Sequence, residues 1–305
     1  MRPPHKALAF AALALLALVW GYNWVVMKIA VGYGGPFSFA AIRTFGGALA
    51  LFALALATRK RLRPEHPAAY FWIGLFQTGF FMALVVLATV TAGAGQVAML
   101  TYTMPLWVSL MAWPALGERI GPVAAVAIAV AFAGILCMVG PRAAIGLPEA
   151  LAVGAGFSWA IGIIISKRLQ ARVRVDVFSM TMWQMLFGGA VLVVAALLVP
   201  ERATQWSMPY VWAVAYNIVF ATALAYYLWT YVLVELPART ASMGTLANPV
   251  IGAIGAWITL HEVPTPLQGT GMLLILSGLS ILTVAERFQP RTGSSTPSPQ
   301  PQASE

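Results

Sequence analysis

The chain has 305 residues, of which 60% are apolar and only 9% charged, and its mean hydropathy is +0.83. A water-soluble domain of this length has no use for so much apolar surface, since soluble chains carry about 25% charged residues, so the composition places the chain in a bilayer. The net charge of +9 is spread along the loops, which excludes a concentrated nucleic-acid-binding face and points to membrane topology instead.

A bilayer core of about 30 Å takes roughly 20 apolar residues per helix. Ten stretches satisfy this, at about 7–31, 36–57, 69–90, 94–116, 121–140, 147–168, 177–199, 209–234, 238–260 and 265–285. The loops between them are short and hold the turn-formers Gly34-Gly35-Pro36, Gly121-Pro122, Gly140-Pro141, Pro200, Pro209, Pro264 and Pro266. The first stretch follows Arg2 and Lys6 as a signal peptide would. It is longer than the 7–15 apolar residues of a signal core and nine similar stretches follow, so it reads as a retained helix. After Arg287 the sequence RTGSSTPSPQPQASE has no apolar anchor, so residues 287–305 are expected to form a disordered cytoplasmic tail.

With a cytoplasmic N-terminus and ten crossings, fourteen Lys and Arg fall on the cytoplasmic side: Arg2, Lys6, Arg59, Lys60, Arg61, Arg63, Arg119, Lys167, Arg168, Arg172, Arg174, Arg239, Arg287 and Arg291. Only Arg142 and Arg202 fall outside, and Lys28 and Arg43 lie within helices. That bias fixes the orientation with both termini inside and anchors the chain to anionic lipid headgroups.

The two halves repeat. Shifted by 144 residues, Met99 falls on Met243, Thr101 on Thr245, Pro105 on Pro249, Trp113 on Trp257, Leu116 on Leu260, Glu118 on Glu262 and Gly134 on Gly278. Trp20 and Lys28 are eight apart, as are Trp159 and Lys167. The expected units are therefore a five-helix repeat over 1–140 and a second over 141–286. Five is odd, so the second half enters the membrane inverted, placing Glu118 at the cytoplasmic face and Glu262 at the outer one. Inverted repeats of apolar helices are a mark of secondary transporters.

Ten helices in two halves, Trp20-Gly21 in the first helix, and a proline followed thirteen residues later by glutamate in both halves resemble the EamA-type members of the drug/metabolite transporter superfamily. The resemblance covers roughly residues 7–285, and within the superfamily it is greatest to the YddG-type aromatic amino-acid exporters. It implies export of aromatic and other apolar amino acids across a bacterial inner membrane. One departure is that Trp159 is followed by Ala160 rather than glycine.

Catalysis finds no support. There is no HExxH motif and no pair of intramembrane aspartates, and Gly156-Phe157-Ser158 has no histidine placed as its base, because His5, His66 and His261 fall in loops or termini. The single Cys137 reads as packing. No cofactor or metal is expected. All nine acidic residues lie away from the helix centres, whereas proton and sodium coupling commonly uses a carboxylate near the midplane. The expectation is facilitated diffusion or exchange.

The candidate substrate-binding residues are neutral amides and hydroxyls within an apolar and aromatic wall. The polar ones are Asn23, Gln77, Tyr102, Asn217 and Asn248. The wall comprises Phe80, Phe81, Leu84, Met99, Trp159, Ile163, Tyr226 and Met243. Neutral hydrogen-bonding groups hold a zwitterion at a lower desolvation cost than a buried ion, and aromatic faces suit aromatic ligands. Aligning Ala83-Leu84 with Ala223-Leu224 puts Gln77 on Asn217 and Phe80 on Phe220, so an amide and an aromatic three residues apart recur on what would be one helical face. Trp20 is a candidate gate. Pro105 and Pro249, mid-helix, are candidate hinges. Lys28 and Arg43 are candidate vestibule residues. Trp72, Trp206 and Trp212 read as interface belt. The partners expected are a small-molecule substrate and membrane lipids, with the protein a monomer. Two other readings remain: export of a different metabolite or drug, and a non-transporting scaffold or lipid-interacting protein.

Overall fold

The computed structural model describes residues 3–117, 120–140, 146–236 and 244–285, and among them all regular structure is helical. The helices are α1 (Pro3–Val31), α2 (Pro36–Ala57), α3 (Pro67–Thr91), α4a (Ala94–Thr101), α4b (Met104–Leu116), α5 (Pro122–Val139), α6 (Leu147–Gln170), α7 (Val177–Leu198), α8 (Met208–Ala215, Tyr216–Leu224 and Ala225–Glu235 without interruption), α9 (Ala247–Leu260) and α10 (Pro266–Ala285). Among the described residues seven helices, α1, α2, α3, α5, α6, α7 and α10, are long and apolar enough to cross a membrane. The expected tail and the Glu118 position lie outside the described residues.

Local chemistry sets the ends. Proline stands in the first turn of α2, α3, α4b, α5, α6 and α8, where its missing N–H costs no helical bond. Asp176 caps α7 by accepting from the N–H groups of Phe178 and Ser179. Gly117 ends α4b in the left-handed region at φ 73°, and His261 ends α9 there at φ 56°. The two positions are 144 residues apart, so the repeat preserves the cap geometry while exchanging glycine for a residue that adopts it with strain.

Two devices interrupt the helices, again in pairs. The chain breaks at Tyr102-Thr103 between α4a and α4b, and at Leu246 just before α9. Pro105 is therefore the second residue of α4b, and Pro249 stands in the first turn of α9. The expected mid-helix kinks are instead fresh helix starts, because a proline that would break a continuing helix fits the first turn of a new one. The second device is a wide π-type turn at Gly74–Phe80 in α3 and at Tyr216–Leu224 in α8.

The packing has a twofold pattern. α5 lies along α10, α2 along α7 and α4a along α9; α1 packs on α8 and α9, while α6 packs on α3 and α4; α2 meets α8, while α7 meets α3. Exchanging each helix with its counterpart five places on leaves these pairings unchanged. Close approach follows the same rule: a Cβ on Gly134 would stand 2.7 Å from the Gly271 carbonyl, and one on Gly278 would stand 2.7 Å from the Ala127 carbonyl. Some contacts have no counterpart among the described residues. α1 and α2 also pack on Phe81–Thr91, whereas α6 and α7 have no comparable contact with Ala225–Glu235.

Candidate functional site

The polar residues of the interior collect where the interrupted helices cross. At the break in α4, Tyr102 presents its hydroxyl to Asn248 in the first turn of α9, and Asn248 Nδ2 donates to it at 2.8 Å. The Tyr102 ring meets Trp24 of α1 edge-on at 6.1 Å. Asn248 is 1% exposed, and its Oδ1 has no partner. α1 can reach this junction because Gly21 lacks a side chain; a Cβ there would stand 2.6 Å from Ile251 Cβ and 3.0 Å from the Asn248 carbonyl. Met99 is buried one turn before the break.

The wide turns form the second locus. Each π-type turn takes its hydrogen bond one residue further on, leaving carbonyls open to other donors. Ser158 Oγ of α6 donates to the Phe76 carbonyl at 2.7 Å, and Trp20 Nε1 of α1 donates to the Ala221 carbonyl at 3.0 Å. Thus α6 serves α3 as α1 serves α8. Gln77 lies in the first turn and Asn217 in the second, both buried. Gln77 is pressed against α6, where a Cβ on Gly162 would lie 2.5 Å from Gln77 Cβ. Asn217 Nδ2 donates back to the Ala213 carbonyl at 2.8 Å while its Oδ1 has no partner, as is true of Asn23 Oδ1. Phe81 is buried and meets Trp159 edge-on at 4.6 Å. Leu84 faces Gly154, and Ile163 is half-buried on α6.

Several expected residues stand elsewhere. Phe80 is 44% and Phe220 45% exposed, with Phe80 packed on Phe76 and Phe220 on Tyr216 at the surface. The cause is the wide turn: at about 80° per residue rather than about 100°, positions three apart no longer share a face. Lys28 and Arg43 do not line an open vestibule. Lys28 Nζ donates to the carbonyls of Thr89 at 2.7 Å and Ala92 at 2.9 Å, at the end of α3. Arg43 is buried, its Nη1 directed at Met27 Sδ at 2.9 Å and Met82 Sδ at 3.2 Å. The Tyr226 side chain and Met243 lie outside the described residues. Trp72, Trp206 and Trp212 are exposed, as a belt requires.

Sequence reasoning missed Trp24, Gly162 and the two wide turns. It also missed that Glu149, in the first turn of α6, is 6% exposed, with Oε1 held by Gln96 Nε2 at 3.1 Å. A groove of about 510 Å³ lined by Leu18, Tyr22, Tyr216, Ile254 and Ile258 opens between α1, α8 and α9, and a hollow of about 400 Å³ lies beside Gln96, Glu149 and Gln268. No cluster of metal-ligating residues occurs among the described residues. The described interior thus offers amide oxygens awaiting N–H donors beside aromatic rings.

The comparisons agree with this architecture. The EamA-like transporter family matches the chain twice, over residues 7–140 and 147–284. The uncharacterized transporter YoaV of Bacillus subtilis is 28% identical, over 88% of this chain and 94% of its own length. A probable amino-acid metabolite efflux pump of Escherichia coli is 27% identical, over 90% of this chain and 94% of its own. A solved crystal structure superposes with a TM-score of 0.62 at 20% identity, over 94% of this chain and all of the other, which shows the same fold. Two matched repeats, paired interruptions and a helix packing that survives exchange of the halves are the build of a membrane transporter, and the chain belongs to the EamA-like transporter family.

Proposed function

We propose that the protein exports aromatic and other apolar amino acids across a bacterial inner membrane by alternating access. It crosses the bilayer ten times, as two inverted five-helix repeats with both termini cytoplasmic, and works as a monomer. In this reading α4a with α4b, α8 and the segment ending in α9 are the three further crossings beside the seven long helices. The observation that carries it is the Tyr102–Asn248 pair at two repeat-related helix breaks, with Trp24 alongside and the Asn248 oxygen unpartnered. An indole N–H or an ammonium group supplies the donor that this oxygen lacks, and the rings supply apolar contact. The naming of a relative as an amino-acid metabolite efflux pump points the same way.

A break in the packing symmetry supports alternating access. α1 and α2 close on the Phe81–Thr91 end of α3, at the face assigned as outer, while the corresponding contacts of α6 and α7 with Ala225–Glu235 are absent among the described residues. Exchange of that asymmetry between the halves would open one face as the other closes. Among the described residues the carboxylates of Glu65, Glu149, Asp176, Glu201, Glu235 and Glu262 all lie in loops or terminal turns, which favours movement down the substrate gradient or exchange.

The test is counterflow in proteoliposomes with labelled Phe, Trp, Met and Leu. Accumulation of label against unlabelled internal substrate is expected, with Phe and Trp exceeding Leu. If folded protein gives no counterflow with any of the four, the amino-acid reading fails.

A further inference from the structure

The hollow of about 400 Å³ shares no wall residue with the Tyr102–Asn248 junction. It is bounded by the turn between α3 and α4a, the end of α5 and the starts of α4a, α6 and α10, and its walls include Gly93, Gln96, Cys137, Glu149 and Gln268. Glu149 brings a carboxylate to it. This residue is the third of α6 and only 6% exposed. A glutamate at that position commonly turns back to accept from the N–H of the residue that caps the helix. Glu149 does turn back, since a Cβ on Gly146 would collide with its Oε2, yet Oε2 has no hydrogen-bond partner. Oε1 accepts from Gln96 Nε2 at 3.1 Å. A carboxylate can accept about four hydrogen bonds, and one left short of donors in a buried place is costly.

Two other charged groups stand close to the turn between α3 and α4a. Glu262 lies over Gly93 and accepts from the Ala94 N–H at 2.6 Å, and Lys28 Nζ holds the carbonyls of Thr89 at 2.7 Å and Ala92 at 2.9 Å. Their charges are opposite, so among the described residues the Glu149 carboxylate is the unbalanced charge of the hollow. The volume is many times the roughly 30 Å³ share of one water and falls in the range of small-molecule sites, so the space suits a molecule and not a bare ion. We infer that the hollow binds an organic ammonium group, with Glu149 as its counter-ion. The ammonium brings the donors that the carboxylate lacks, and both partners of the new bond are ionised. Gln96 and Gln268 add neutral polar walls; Gln268 Oε1 accepts from the Thr265 N–H at 3.0 Å, which fixes that amide at the start of α10. An amino acid carries an ammonium group, but the inference stands apart from the export reading.

Cys137, the single cysteine of the chain, is half-buried in the wall of the hollow and reports on it. The full chain in lipid nanodiscs is treated with a cationic and with an anionic methanethiosulfonate, and each rate is divided by that reagent's rate with free mercaptoethanol. The cationic reagent is expected to be favoured about tenfold, the order for one unit charge at close range in a partly buried site. Glu149→Gln keeps the shape, removes the charge and should abolish the preference. Phenethylammonium should slow labelling of the parent chain saturably, whereas sodium chloride at equal ionic strength should not. The measurements on the parent chain need no variant, so they decide the matter if Glu149→Gln does not fold. The inference is overturned if the parent chain shows no preference, if the preference survives in folded Glu149→Gln, if phenethylammonium gives no protection, or if sodium protects equally well. No transport is measured, so a failure here leaves the counterflow result untouched.

Discussion

The hydrogen bond from Asn248 to Tyr102 joins the two helix breaks, and its worth can be measured. Tyr102→Phe removes only the oxygen that accepts from Asn248 Nδ2 at 2.8 Å, leaving the ring against Trp24. Asn248 is 1% exposed and its Oδ1 already has no partner, so the variant leaves the whole amide unsatisfied. Losing a hydrogen bond costs about 0.5–1.5 kcal/mol net, and stranding a buried polar partner about 1–3 kcal/mol. Interhelical bonds within membranes average about 0.6 kcal/mol, with a ceiling near 1.7. The ring stays and the fold is membranous, so the lower range governs: about 1 kcal/mol for Tyr102→Phe, and a similar figure for Asn248→Leu. The double variant should cost little more than either single change, because both remove the same bond. A double-mutant cycle read from unfolding of the reconstituted protein should therefore give a coupling near 1 kcal/mol. Additive losses, to within about 0.3–0.5 kcal/mol, would show that the two groups do not interact and would remove the central contact of the proposed site.

Further outcomes follow from individual placements. Phe81→Ala should weaken transport of Phe more than of Leu because it removes the ring 4.6 Å from Trp159, whereas Phe80→Ala, at an exposed position, should leave both apparent affinities within about twofold, a difference under 0.5 kcal/mol; equal effects of the two would undo the assignment of faces. Gln77→Ala should reduce apparent affinity about 2- to 12-fold, as for one net hydrogen bond, and a loss of thermal stability with unchanged affinity would make the amide a packing element. His261→Gly should raise the melting midpoint, by relief of a left-handed residue worth about 1–2 kcal/mol less the greater freedom of glycine in the unfolded chain; a fall would show that the side chain repays its strain. Transport should be unaffected by an imposed pH gradient, and accumulation abolished by an uncoupler would require a proton-binding group.

Element identity was legible in the sequence because hydropathy and proline positions act locally. The apolar runs fall on helix over most of the described residues, apart from the breaks at Tyr102-Thr103 and Leu246, and the proline-led starts fall where the turns were read. The repeat was legible for the same reason: identical residues at a fixed offset need no three-dimensional knowledge. The wide turns were not legible. GLFQTGF and YNIVFATAL carry no proline or charge that marks a change of pitch; the change is stabilised by donors on other helices, Ser158 and Trp20, more than 80 residues away in sequence. Reading Gln77 and Phe80 at the ordinary helical pitch put both indoors, and the tertiary bond that alters the pitch sends Phe80 out. Lys28 was misplaced through the same limit, since the carbonyls it meets belong to the end of a helix whose approach only packing decides.

The two wide turns and the two repeat-related lysines have a common logic. Trp20 and Lys28 lie eight residues apart on α1, and Ser158 and Lys167 nine apart on α6. In the first case one helix holds an open carbonyl of α8 and the terminal carbonyls of α3; in the second, one helix holds an open carbonyl of α3 and carries the lysine that corresponds to Lys28. Each of α1 and α6 is thus bonded by its middle to the helix across the twofold and bears at its end a cation suited to another helix terminus. The middle bond draws on neutral groups within one packed pair and can persist through a change of state. In the alternating-access cycle proposed above, α1 and α6 are the two repeat-related helices bonded at their middles to a wide turn, and each would tilt about that bond.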